Sequence, residues 1–151
     1  MRDQDLIPHP EGGRYREIYR STTRITSEHQ GTRAALTHIY FSLCPPEVSR
    51  FHKVASDEVW NLYQGQGLWL YQWDGSSDHV SVIELSGRSS QFCHVVPAGY
   101  WQAARPMTER VLVGCTVAPG FEFADFELID LQSETAARLI ALHPDLQFLV
   151  E

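Results

Sequence analysis

From residue 14 to residue 131 the chain is a succession of short runs of alternating polarity, each cut off by Gly, Pro, Asp or Ser, and this punctuation limits what it can fold into. Residues 14–20, 33–44, 50–54, 58–64, 68–73, 79–85, 91–96, 100–104, 110–117 and 126–131 read as strands. Turns fall at Pro45-Pro46, Asp74-Gly75-Ser76-Ser77, Ser86-Gly87-Arg88 and Pro97-Ala98-Gly99. Alternation at period two buries one face of a strand, and many such strands closely spaced build an all-β sandwich or barrel. Residues 1–13, broken by Pro8, Pro10, Gly12 and Gly13, read as an irregular lead-in, and residues 21–31 as a loop. One helix is expected within residues 133–143. There Ser133 and Glu134 cap an Ala-rich run that His143-Pro144 ends, with Leu139 and Leu142 on one face. A length of 151 residues and 43% hydrophobic content predict a single domain over residues 1–151.

The segment from Ser49 to Gly67 is the most informative hairpin. A strand through Arg50 and Val54 turns at Ala55-Ser56-Asp57 into a strand that begins with Glu58. Glu58, Trp60 and Leu62 share one face, and Val59, Asn61 and Tyr63 share the other. A carboxylate opening a bulky apolar run calls for a partner, because an unpaired buried charge is costly. His52, six residues back across the turn, is the candidate.

The formal net charge of -7 and the scattering of twelve basic residues argue against a nucleic-acid partner. No apolar run approaches the roughly 20 residues of a membrane span, and Met-Arg-Asp-Gln-Asp lacks the apolar region of a signal peptide. No membrane partner and a cytoplasmic location are therefore expected. Cys44, Cys93 and Cys115 show no Cys-x-x-Cys spacing and sit in apolar runs, so buried inert thiols are expected rather than a disulfide framework.

Two segments carry a resemblance. His52-Lys53-Val54, then Glu58 after three residues, then Gly65 after six more, keeps the spacing of the first motif of the cupin superfamily. Pro97-Ala98-Gly99-Tyr100-Trp101-Gln102 resembles the second motif, with Gln102 where His is usual. Residues 8–13 (Pro-His-Pro-Glu-Gly-Gly), Val96-Pro97-Ala98-Gly99 and residues 113–121 are further similar to one branch of small cupins, long catalogued as a domain of unknown function. The resemblance implies a cupin jelly-roll, or double-stranded β-helix: a barrel of two antiparallel sheets with a C-terminal helix. It also implies a homodimer.

In metal-holding cupins the two His of the first motif, its Glu and the His of the second surround one divalent ion. Carried over, those positions are His52, Val54, Glu58 and Gln102. A carboxamide is a poor third ligand for a transition metal, so no cofactor is the expectation. The alternative is a metal-dependent oxygenase or isomerase using His52, Glu58 and Gln102 with further ligands. Without a metal, His52 and Glu58 are the candidate catalytic pair for moving a proton next to a carbonyl, as in an isomerase or epimerase. Gln102 would donate to the developing enolate oxygen. Trp60, Tyr100, Tyr40 and His38 are candidate substrate-binding residues for a sugar-like or carboxylate metabolite, and pure binding of a small-molecule ligand stays open. Trp69, Tyr71 and Trp73, on one strand face, read as packing or a dimer surface. His9 and Glu11 close the pocket, reach a partner subunit, or simply form a turn.

Overall fold

The computed structural model describes residues 5–151, so the first four residues of the lead-in lie outside the described residues. The strands are β1 (Ile7–Pro8), β2 (Arg14–Arg20), β3 (Arg24–Ser27), β4 (Gly31–Ala34), β5 (Thr37–Leu43), β6 (Ser49–Val54) and β7 (Asp57–Gln64). They continue with β8 (Gly67–Trp73), β9 (Ser81–Ser86), β10 (Cys93–Val96), β11 (Trp101–Pro106), β12 (Val111–Ala118) and β13 (Phe126–Leu128). Helix α1 (Glu134–Leu142) and a 3-10 turn at Pro144–Leu149 close the chain.

The strands form a six-stranded sheet in the order β1-β2-β5-β12-β7-β10, a five-stranded sheet in the order β13-β6-β11-β8-β9, and the separate hairpin β3-β4. Every pairing is antiparallel. The two large sheets pack face to face through Phe41, Leu43, Trp60 and Val113 on one and Leu68, Leu70, Leu85 and Ala104 on the other.

They are not closed into the expected jelly-roll barrel. Among the described residues each large sheet ends in edge strands, β1 and β10 on one sheet and β13 and β9 on the other. Three of those edge strands have only two, four and three residues. Edges so short offer little backbone to carry a ladder from one sheet to the next, so side chains hold the sheets together.

The five-stranded sheet is covered on both faces. Its outer face carries Tyr71, Trp73, Trp101 and Ala103 against Ala136 and Leu139 of α1 and against Leu146 and Leu149. Trp69 packs at the margin of this cluster, so the aromatic stripe of β8 is packing. Burial on both faces explains why β11 reads almost continuously apolar from Trp101 to Ala104, interrupted only by Gln102.

The Ser133 hydroxyl accepts the Ala136 N–H at 3.1 Å and starts α1 as its sequence predicts. Leu139 is buried while Leu142 is exposed, so the buried stripe runs through Ala136 and Leu139 and not through the expected Leu pair.

Residues 21–31 do not form a plain loop, because β3 lies there and pairs with β4. Its sequence, Arg-Ile-Thr-Ser, has no apolar alternation, and the hairpin rests on its ladder and on a Thr26–Thr32 hydroxyl contact of 2.9 Å. Of the cysteines only Cys115 is buried; Cys44 and Cys93 are exposed. Among the described residues, no helix is long and apolar enough to cross a membrane.

Candidate functional site

A cavity open to solvent takes its lining from both large sheets and from the lead-in. Tyr15, Ile39, Phe41, Val117, Phe121 and Phe126 supply apolar surface, and His9, Glu11, His52 and Glu58 the ionisable groups. About 450 Å³ of empty space lies between these side chains, part of it open solvent, but the centre of a water molecule fits in only about 30 Å³. The site is narrow.

Strand register builds its polar side. His52 and Gln102 are direct partners across the β6–β11 ladder. Glu58 projects from β7 of the opposite sheet, and Gln102 reaches across to it, Nε2 donating to Glu58 Oε1 at 2.7 Å. The indole of Trp60, two residues along β7, donates to Gln102 Oε1 at 2.7 Å. An indole N–H only donates, so this bond fixes which end of the carboxamide faces Glu58.

His52 does not bond Glu58. Its carboxylate is Glu11, with His52 Nε2 at 2.9 Å from Glu11 Oε2. The other ring nitrogen, Nδ1, lies 2.7 Å from the Arg50 carbonyl. A carbonyl only accepts, so Nδ1 carries hydrogen, and the short contact on Nε2 requires one more proton between imidazole and carboxylate. Glu11 Oε1 also takes the Ser49 hydroxyl at 3.0 Å.

The lead-in delivers Glu11 through a turn stitched onto β6. The Gly12 N–H bonds the His9 carbonyl at 3.0 Å, the His9 N–H bonds the Gly13 carbonyl at 3.0 Å, and the Arg50 N–H bonds the Glu11 carbonyl at 2.8 Å. Gly12 has φ of +112°, and a Cβ there would sit 2.0 Å from the Val48 carbonyl oxygen, which is backbone. Gly12→Ala is therefore expected to cost about 2 kcal/mol or more of stability in urea unfolding and to displace Glu11 from His52. An unchanged midpoint would show that this turn does not constrain the lead-in.

On the open side, Phe126 stacks on His52 with ring centroids 5.5 Å apart. Its segment is anchored by the Arg33–Asp125 pair, with Nε to Oδ2 at 2.8 Å and Nη2 to Oδ1 at 2.9 Å. Arg20 holds the same segment through Glu122 at 2.9 Å and the Phe121 carbonyl at 3.0 Å. The hairpin missed by its sequence thus helps position the rim of the cavity.

The two carboxyl groups behave differently. Burial works to raise the Glu11 carboxyl, but the charge and hydrogen bond of His52, then His9 and Ser49, outweigh it and hold it low. Burial raises Glu58 to about 7, with the Glu11 charge adding to the rise while His52 and Gln102 pull the other way. Burial also works to lower His52, yet Glu11, Glu58 and the Arg50 carbonyl leave it raised. His9 is lowered, chiefly by burial and further by the His52 charge, against the pull of Glu11.

The other candidates lie elsewhere. Trp60 and Gln102 are buried behind Glu58, outside the cavity lining. Tyr100 packs against the core between the sheets. His38 and Tyr40 do not join the cavity; His38 bonds Thr116 Oγ1 at 2.8 Å and the exposed Tyr63 hydroxyl at 3.0 Å, with Tyr40 against the same Tyr63 ring. Glu11 and His9 are the groups whose place the sequence left open. The one signal was an acid with no partner of its own in a Pro- and Gly-rich turn.

The donor set does not fit a divalent metal. Both nitrogens of His52 are engaged, both ends of the Gln102 carboxamide are engaged, and Val54 lines the cavity where the superfamily pattern has its second His. Among the described residues no group of three or more His, Cys, Asp or Glu side chains is placed to hold a metal ion.

Two open antiparallel sheets enclosing an imidazole–carboxylate pair beside a second, separate carboxyl group define an all-β protein with an acid-lined cavity. The chain belongs to the cupin superfamily, in the family designated DUF985, which it matches over residues 1–129. It is 29% identical over 153 aligned positions to the uncharacterized protein YML079W of Saccharomyces cerevisiae, covering 89% of this chain and 75% of that one. Among solved structures it is similar to protein SO0799 from Shewanella oneidensis, with a TM-score of 0.80 at 32% identity over 98% of this chain and 90% of that one. A hypothetical protein from Leishmania major also gives a TM-score of 0.80, at 28% identity over 97% of this chain and 92% of that one.

Proposed function

We propose that the cavity binds a small organic molecule and moves a proton on it, as an isomerase or epimerase does, without calling on a metal. The observation that carries this reading is the contrast between two neighbouring carboxyl groups. Glu11 is kept ionised by its own imidazole, while Glu58 titrates at about 7. Carboxyl groups pushed apart in this way divide acid and base roles between them. Glu58 Oε1 is committed to Gln102, and Oε2 accepts no hydrogen bond among the described residues.

In this reading ionised Glu58 takes a proton from a substrate carbon next to a carbonyl. The electron pair left on carbon moves onto the carbonyl oxygen as an enolate, so the negative charge passes from Glu58 to the substrate beside the paired His52 and Glu11 and the net charge of the cavity does not change. Return of the proton from Glu58 to carbon, on the same or the other face, restores the carboxylate. Glu11, Gln102 and Trp60 then act as positioning residues. Gln102 orients Glu58 instead of meeting the enolate itself.

The test is exchange in deuterium oxide with a panel of small ketones, amino ketones, keto acids and sugars, followed by NMR. Deuterium should enter a carbon next to the carbonyl of at least one compound, and both Glu58→Gln and His52→Ala should reduce that exchange by at least about 100-fold. Binding of panel members with no exchange by the wild-type protein would instead leave a pure binding protein. Full exchange in Glu58→Gln would remove that carboxyl from the chemistry.

A further inference from the structure

We infer that the cavity selects a small organic cation, an amine on an apolar or aromatic body, over an anion of the same shape. The inference deepens the proposed function and rests on reading the cavity as a ligand site.

The acidic and imidazole side chains that line the cavity are His9, Glu11, His52 and Glu58. Glu11 and His52 cancel one another at 2.9 Å. His9 Nδ1 accepts the Glu11 backbone N–H at 3.2 Å, which places its single hydrogen on Nε2 and leaves the ring neutral. No Lys or Arg lines the cavity among the described residues. The arginines near its rim are engaged elsewhere, Arg20 by Glu17 and Glu122, Arg33 by Asp125, and Arg50 by the Pro10 carbonyl at 2.6 Å.

What remains is Glu58, with one oxygen uncommitted. It is faced by Glu11 from the lead-in, His52 from β6, Gln102 from β11 and the Cys115 thiol from β12, which burial keeps protonated. A bound carboxylate would be buried beside Glu11 and Glu58 with no free cation to pair it, which is costly in a low-dielectric site. An ammonium group gains Glu58 as a partner, and the lining includes the aromatic rings of Tyr15, Phe41, Phe121 and Phe126, a residue class whose π-systems attract cations.

Benzylamine, benzyl alcohol and benzoate form a matched set of probes for NMR titration. At pH 8 benzylammonium should bind at least about tenfold more tightly than benzoate, with the alcohol between them. Benzylammonium binding should weaken about tenfold from pH 8 to pH 6 as Glu58 takes up its proton, since only the ionised fraction binds, while the alcohol changes little. Glu58→Gln, which keeps the shape of the side chain, should abolish both the preference and the pH dependence. Benzoate binding as tightly as benzylammonium, or a preference that survives in Glu58→Gln, would overturn the inference while leaving the cavity a ligand site. Binding of none of the three would also overturn it, and the deuterium exchange experiment then decides the proposed function separately.

Discussion

Glu11→Ala is expected to destabilise the protein by about 3–5 kcal/mol at pH 6, because it strands a protonated imidazole in a site where His52 is 2% exposed. The Ser49 hydroxyl, itself buried, loses its acceptor in the same step. The loss should shrink as pH rises, since His52 can then shed its proton rather than remain an unpaired charge. The sign follows from the two partners. Glu11 is held low, so its contribution is present above the ordinary carboxylate range and disappears as pH falls through its folded value. His52 is raised, so its contribution is complete below about 6.5 and is lost as pH rises through its folded value. Urea unfolding of wild type, Glu11→Ala, His52→Ala and the double variant measures the coupling directly. Additive losses would show that the two side chains do not act as a pair. In Glu11→Gln, which preserves shape, the His52 resonance should titrate at lower pH than in wild type.

Glu58→Gln should have the opposite effect and stabilise the protein by about 3 kcal/mol at pH 8. An acid raised from 4.5 to about 7 favours the folded state less and less as pH climbs, because the unfolded chain ionises first. The cost therefore builds between 4.5 and about 7 and stays constant above that. Below 4.5 the variant and the wild type should be nearly equally stable. Gln at this position can still accept from Gln102, so the bridge between the sheets is kept. A polar group that lowers stability while its packing is satisfied is expected where a site is built for chemistry. A difference between variant and wild type that stays the same from pH 5 to pH 8 would show that burial does not raise the Glu58 carboxyl.

Both expectations concern a site whose parts lie far apart in the chain. Glu11 comes from a turn, His52 and Gln102 from one sheet and Glu58 and Trp60 from the other. Reading β6 and β7 as a hairpin suggested a direct His52–Glu58 pair, but the two strands do not pair: β6 lies between β11 and β13, and β7 between β12 and β10. Facing sheets put the two residues on opposite sides of the cavity, and each found another partner.

Local chemistry determined by itself most strands of the two large sheets, though not β1 or the separate β3, as well as where α1 begins and that Glu58 and Gln102 are polar groups within apolar runs. These depend on period-two alternation, on a Ser133 hydroxyl three residues before an N–H, and on the cost of burying an unpaired charge. The lead-in also announced its turn through Pro and Gly. Tertiary structure alone decided that Glu11 neutralises His52, that Phe121 and Phe126 border the cavity, that His38 and Tyr40 face away from it, and that the sheets stay open. Each of those outcomes depends on how one sheet lies over another and how a turn docks on β6. No periodicity within a single segment encodes the distance between groups brought together by packing.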